Sequence, residues 1–245
     1  MAIIHGSFYS ETLFQLTNYT AILPDQPYTE VAIMYLLHGR SGNCQSWLNQ
    51  TGISRYVAGM PLVIFCPEVA LSYYSNMAIG SKYWDFLTKE FPQKMQLFHS
   101  YTASKNFVVG NSMGGYGALK WGLSEPEKFD FIGLLSPLVD VRSLLTIFPE
   151  TAIEFQAAFQ TKEDYESSEN NLFNTMKTTT PNNLPPIYHS CGKQDFLYQD
   201  SRHLQKTLLT LSKNYSSTFE EGHHDWQEWD KRIQEVIIYL TQKET

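Results

Sequence analysis

A chain of 245 residues, 42% hydrophobic and 14% aromatic, can bury one large core, and its net charge of −7 argues against nucleic acid or an anionic membrane surface as the main partner. No apolar run approaches a membrane span, and the segment Met1–Ser7 has neither the basic region nor the apolar stretch of a signal peptide. Three cysteines, Cys44, Cys66 and Cys191, form a sparse odd set without metal-ligand spacing, so a reducing, cytoplasmic setting is expected.

In chain order, Ile3–Tyr9 and Leu13–Leu23 read as two strands, the second ended by Pro24-Asp25-Gln26-Pro27. Val31–Leu37 (VAIMYLL) is a continuous apolar run, the pattern of a strand buried on both faces, and it runs into the flexible segment His38-Gly39-Arg40-Ser41-Gly42-Asn43. Leu62–Cys66 is a second buried strand, and Tyr83–Phe91 has the apolar spacing of a crossover helix. Phe107–Val109 predicts a strand, Met113–Leu123 a helix and Phe131–Leu135 the next strand. From Leu138 to Pro186 helix-like fragments (about Thr151–Phe159 and Glu169–Met176) surround a polar stretch with no strand signal, which reads as a helical cap inserted at about 138–186 of a single domain, 1–245. Ile187–Cys191 resumes the sheet, Phe196–Leu211 is a helix, Ser216–Phe219 a last strand and Trp226–Leu240 a closing helix. Strands alternating with helices predict an α/β fold with a mainly parallel, doubly wound sheet whose leading strands are free to run antiparallel.

The stretch with the most chemistry is Gly110-Asn111-Ser112-Met113-Gly114-Gly115 between a strand and a helix. A G-x-S-x-G turn there holds its serine in a strained conformation above the sheet, and the backbone N–H of Met113 faces a developing oxyanion. A serine hydroxyl needs a base within hydrogen-bond reach and an acid group that orients the base. Asp195 in Gly192-Lys193-Gln194-Asp195, and then His223-His224-Asp225-Trp226, each follow a strand, and the order Ser, Asp, His is that of the α/β-hydrolases. Asp195 also suits the N-cap of the helix after it, though the chain order favours the catalytic reading. Neighbouring histidines diverge, so one of His223 and His224 is the base, and backbone reasoning alone does not choose. His38-Gly39 at the end of a buried strand fits the loop that supplies the second oxyanion N–H, from Arg40 or Ser41. His5, His99, His189 and His203 have no motif around them.

These motifs resemble those of the bacterial tributyrin esterases, relatives of esterase D (S-formylglutathione hydrolase) and of the mycobacterial mycolyltransferases. The likeness runs through Leu36-Leu37-His38-Gly39, Ser41-Gly42-Asn43, Trp47, Tyr74-Ser75-Asn76-Met77, Ser112-Met113-Gly114-Gly115-Tyr116-Gly117-Ala118-Leu119, Asp195-Phe196-Leu197-Tyr198 and His224-Asp225-Trp226 with Trp229. It implies an α/β-hydrolase fold, a triad of Ser112, Asp195 and His224, and a serine carboxylesterase acting on short acyl esters through an acyl-enzyme, with no cofactor or metal. The chain departs from the pattern at Asn111, where leucine is more usual, and at Arg40, where an apolar residue is common. Phe148, Phe155 and Phe159 are candidates to wall the acyl site, with packing of the inserted segment itself an equally good reading of them. The expected partner is a small-molecule ester, with homo-oligomerisation left open. Neighbouring readings are an S-formylglutathione hydrolase, an acetyl or feruloyl polysaccharide esterase or an acyltransferase, and outside enzymes a binding protein that keeps the fold; such proteins lose a triad member, and all three are present here.

Overall fold

The strands are β1 (Ala2–Ser10), β2 (Gln15–Leu23), β3 (Val31–Leu37), β4 (Leu62–Pro67), β5 (Ala103–Asn111), β6 (Phe131–Leu135), β7 (Ile187–Ser190) and β8 (Tyr215–Thr218). In the computed structural model, which describes residues 1–242, they form one eight-stranded sheet in the order β1-β2-β4-β3-β5-β6-β7-β8. The leading strands are antiparallel, β1 to β2 and β2 to β4, and all later pairs are parallel. The helices are α1 (Ser46–Gln50), α2 (Ile53–Tyr56), α3 (Tyr83–Asp85), α4 (Phe91–His99), α5 (Met113–Ser124), α6 (Arg142–Ile147), α7 (Ala152–Phe159), α8 (Lys162–Ser167), α9 (Leu172–Thr178), α10 (Tyr198–Leu211) and α11 (Trp226–Gln242).

Every residue of β3 is buried, and alternation divides them between two cores. Ile33, Tyr35 and Leu37 face the side of α5 and of the segment between β6 and β7, and Ala32, Met34 and Leu36 face Trp47, Ile53, Ile233 and Val236 on α1, α2 and α11. A sheet covered on both faces has no polar side to show, so its central strands read as unbroken apolar runs. Burying such a leucine or isoleucine contributes ~1.5–3 kcal/mol.

Among the elements whose bounds differ from the sequence reading, three near the start of the chain and its first crossover are instructive. The second strand starts at Gln15 rather than Leu13, because Glu90 gathers the preceding turn: its carboxylate accepts from Ser10 Oγ (2.6 Å) and from the N–H groups of Glu11 (2.9 Å) and Thr12 (3.1 Å). The helix predicted to stop at Phe91 continues as α4, through a π-helical turn at Phe86–Glu90. Pro92 has no N–H to give the carbonyl of Thr88, which instead accepts from Lys128 Nζ at 3.2 Å. Strand β5 extends beyond Phe107–Val109 at both ends, its start being an extension, exposed at Ala103 and Ser104 and half-buried at Lys105, that still pairs with β3.

Between β6 and β7 the described residues form α6, α7, α8 and α9 and no strand. Phe155, Phe159 and Tyr165 form an aromatic cluster there, with ring centroids 5.0–5.7 Å apart, and they join the α5-side core. Among the described residues no helix is long and apolar enough to cross a membrane.

Candidate active site

Strand β5, helix α5 and the end of β3 converge at two glycines. A Cβ added at Gly110 would lie 2.3 Å from the carbonyl carbon of Gly114, and one at Gly114 would lie 2.3 Å from Leu37 O, so no side chain fits at either. Between them Ser112 sits at φ 53°, ψ −119°, a conformation that costs a serine on the order of 1–3 kcal/mol. It is held by its N–H on Leu135 O (2.9 Å) and by its own carbonyl, which accepts from Tyr116 N (3.1 Å) and Leu138 N (3.0 Å). Met113 is the first residue of α5, where backbone N–H groups have no acceptor within the helix.

Asp195 and His224 come from loops after β7 and β8. Lys193 N donates to Glu220 O (2.7 Å), Gln194 N to Gly222 O (3.0 Å), and Gly222 N to Gln194 Oε1 (2.7 Å). A Cβ at Gly192 would stand 2.2 Å from Gly222 O, so this zipper also depends on glycine. The His224 loop is fixed from the other side by α11. Asp225 Oδ1 accepts from Glu228 N (3.0 Å) as its N-cap, and the buried Arg232 pairs with Glu220 (3.0 Å), Glu228 (2.6 Å) and Glu235 (2.6 Å).

These supports bring Ser112, His224 and Asp195 into one chain of hydrogen bonds. Ser112 Oγ lies 2.9 Å from His224 Nε2, and His224 Nδ1 lies 2.8 Å from Asp195 Oδ2. A carboxylate only accepts, so Nδ1 carries the proton and Nε2 is left to accept from the serine hydroxyl. Asp195 is not the N-cap of α10, whose cap position is Leu197 without a side-chain cap bond; its other oxygen instead accepts from Leu197 N (2.8 Å) in the turn that delays α10 to Tyr198. The Asp195 side chain is sealed from solvent, while His223 is exposed on the far side of the loop.

Loop 38–43 lies across from the serine. Burial pushes the His38 imidazole below its ordinary pKa, against the pull of nearby Glu68, and leaves it neutral. Its Nε2 accepts from Val69 N (3.2 Å), so its Nδ1 donates to Gly39 O (2.8 Å), which also accepts from Gly42 N (3.0 Å). Across a trans peptide the next N–H points opposite to that carbonyl, so the N–H of Arg40 is turned away from His38 and Gly42. Trp47 Nε1 anchors the loop's root on Leu37 O (3.0 Å).

A cavity of about 360 Å³ opens over Ser112, walled by Leu138, Leu144, Phe148, Phe196, Trp226 and Trp229 and floored by Gly39, Asn111 and Met113. The His224 ring is flanked by Phe196 (centroids 4.3 Å) and by the edge of Trp229 (5.0 Å). Of the two readings open for the three phenylalanines, Phe148 follows the first and lines the cavity, while Phe155 and Phe159 follow the second and pack inside the segment between β6 and β7. Leu138, Leu144 and Phe196 were not anticipated as wall residues, although Leu138 and Phe196 follow strand ends, where a site of this fold gathers its lining. The Asn111 amide is wholly buried, and among the described residues neither its oxygen nor its nitrogen has a hydrogen-bond partner. His189 is buried against Tyr215 OH (2.9 Å) and His203 stacks on Phe173 (4.3 Å), both away from the serine.

A serine at a strand–helix elbow, with a histidine and an aspartate delivered from later strand ends, defines a serine hydrolase of the α/β-hydrolase fold. The particular family follows from comparison: residues 10–240 match the Esterase family, described as "Putative esterase", and the chain belongs to it. It is similar to an acetyl esterase of Caldicellulosiruptor saccharolyticus, 28% identical over 98% of both chains. Among solved structures it is similar to a fluorophosphonate-binding serine hydrolase of Staphylococcus aureus (28% identity, TM-score 0.86, 97% of each chain). An S-formylglutathione hydrolase of the same organism matches at 28% identity and TM-score 0.84, over 97% of this chain and 98% of that one. The protein is thus a serine ester hydrolase.

Proposed function

We propose that this serine carboxylesterase cleaves short-chain acyl esters through an acyl-enzyme formed on Ser112. The observation that carries the reading is the unbroken chain Ser112 Oγ–His224–Asp195, at 2.9 and 2.8 Å. His224 Nε2 takes the hydroxyl proton as Ser112 Oγ attacks the ester carbonyl, and Asp195 holds the imidazole and stabilises its protonated form. The N–H groups of Met113 and Arg40 bind the oxyanion; the orientation of the Gly39 carbonyl supports Arg40 over the exposed Ser41. His224 then protonates the departing alcohol, and in the second half activates the water that releases the acid.

The cavity's size and its leucine and phenylalanine walls support a small apolar acyl group, as does the acetyl esterase among the relatives. The segment 138–186 acts as a cap on a single domain, since Leu138, Leu144 and Phe148 supply the cavity wall. All three cysteines are free and buried, and burial pushes the Cys191 thiol up to about 12, which supports a reducing, cytoplasmic setting and serine rather than thiol chemistry.

A fluorophosphonate should label one serine per chain and abolish hydrolysis of 4-nitrophenyl acetate. Ser112→Ala should stay folded, lose the label and lose activity by a factor on the order of ten thousand. Near-normal turnover in the purified variant would overturn the mechanism.

A further inference from the structure

We propose that Glu154 is a positioning residue for the oxyanion hole, acting through the Arg40 side chain and the Tyr73–Tyr74 turn. This deepens the reading above and rests on its assignment of the Arg40 N–H as an oxyanion donor.

The Glu154 carboxylate lies on α7, 114 residues beyond Arg40, and grips its guanidinium with both oxygens: Arg40 Nε donates to Oε2 (2.7 Å) and Nη2 to Oε1. The pair is shielded, with side chains 19% and 34% exposed. Oε2 also accepts from the hydroxyl of Tyr73 (3.0 Å). The neighbouring hydroxyl, that of Tyr74, donates to His38 O (2.8 Å) at the root of the oxyanion loop. Both tyrosines are fully buried and both have φ +50°, a left-handed conformation that bulky residues avoid. That turn sends two consecutive hydroxyls to two different elements, one to the insertion and one to the oxyanion loop. A few residues on, Ala78 N and Ile79 N donate to Ala158 O (3.1 Å) and Ala157 O (2.9 Å), which ties the same loop to the end of α7.

The oxyanion loop therefore has two sets of restraints. His38, Gly42 and Trp47 fix its start from inside the sheet, and Glu154 fixes Arg40 from the insertion. A planar guanidinium held at two points sets direction as well as distance, which a single charge contact would not. An oxyanion donor is worth its full effect only when it is aimed before the charge develops. Loosening Arg40 should therefore weaken the bond to the transition state while leaving ground-state binding alone, so the loss falls on kcat.

Turnover of 4-nitrophenyl acetate, normalised to active sites counted by complete fluorophosphonate labelling, tests this. In Glu154→Ala, kcat should fall ten- to a hundredfold with KM within threefold, and affinity for butylboronic acid, whose tetrahedral adduct mimics the oxyanion, should fall with kcat. Glu154→Gln, which keeps an acceptor for Tyr73, should recover part of the loss. Arg40→Met, which leaves the Tyr73 bond to Glu154 in place, should lose part of what Glu154→Ala loses, and the double variant should be no worse than Glu154→Ala. A kcat per active site within twofold of wild type, a loss confined to KM, or single losses that multiply in the double variant would each overturn the proposal. Should Glu154→Ala fail to fold, Glu154→Gln and Tyr73→Phe carry the same comparison. A wild type that takes no label sinks the serine mechanism instead, and that result is seen before any variant is made.

Discussion

His223 and His224 differ by one position in sequence, yet only His224 reaches both Ser112 Oγ and Asp195, while His223 faces solvent. His224→Ala should lower kcat/KM by about ten thousandfold or more, and His223→Ala by about tenfold or less, through the loop alone. Steady-state kinetics on the two purified variants checks this, and loss in His223→Ala with activity kept in His224→Ala would reverse the assignment. Asn111 poses a different residue-scale problem. A buried amide that no described residue pairs costs about 1–3 kcal/mol, so Asn111→Leu should stabilise the fold by that order, read as a raised urea midpoint with unchanged slope. The presence of Asn111 was plain in the sequence, but its lack of a partner was not, because partners are set by neighbours remote in the chain.

At the scale of elements, α5 carries more than the turn at Ser112. Its Lys120 is buried beneath the insertion, donating to Asn170 Oδ1 (2.6 Å) and Tyr74 O (3.2 Å) and lying 4.2 Å from the Trp84 ring, with Ser75 Oγ and the charge of Glu169 nearby. Burial pulls its pKa from an ordinary 10.5 to about 7. Between those values the unfolded chain holds the proton and the folded one does not, so this group makes stability rise with pH across that window. Unfolding curves from pH 7 to 10 should show wild type gaining on Lys120→Met, which has no proton to lose; a constant difference would mean that Lys120 stays charged when folded. The pattern of α5 as a helix was legible from its apolar residues, whereas the depth of one lysine on it depended on where the insertion folded back. The same distinction applies to the helix predicted over Tyr83–Phe91, which runs on past Pro92 through a π-helical turn, with Lys128 from a later segment donating to the carbonyl of Thr88.

For the molecule as a whole, the proposed function makes the cavity over Ser112 the acyl site, and its size then limits the range of acyl groups. Its volume of about 360 Å³ and its closure by Phe148 and Phe196, whose rings meet at 5.1 Å, leave room for short chains. Acetyl and butyryl 4-nitrophenyl esters should therefore be cleaved faster than octanoyl or palmitoyl ones at matched soluble concentration, and a palmitoyl preference would contradict this. The sequence by itself determined the alternation of strands and helices, the buried parallel centre of the sheet and the elbow at Ser112, because apolar periodicity and the steric need for Gly110 against Gly114 are local, whereas the contact that bars a side chain at Gly114 is with Leu37 on β3. It also placed Asp195 and His224 at strand ends, where a sheet of this order must bring them together. Only the tertiary structure decided which phenylalanines wall the cavity, and only it joined Arg40 to Glu154 and Tyr73. Those contacts link residues tens to more than a hundred positions apart, and they form only once the insertion packs back over the sheet.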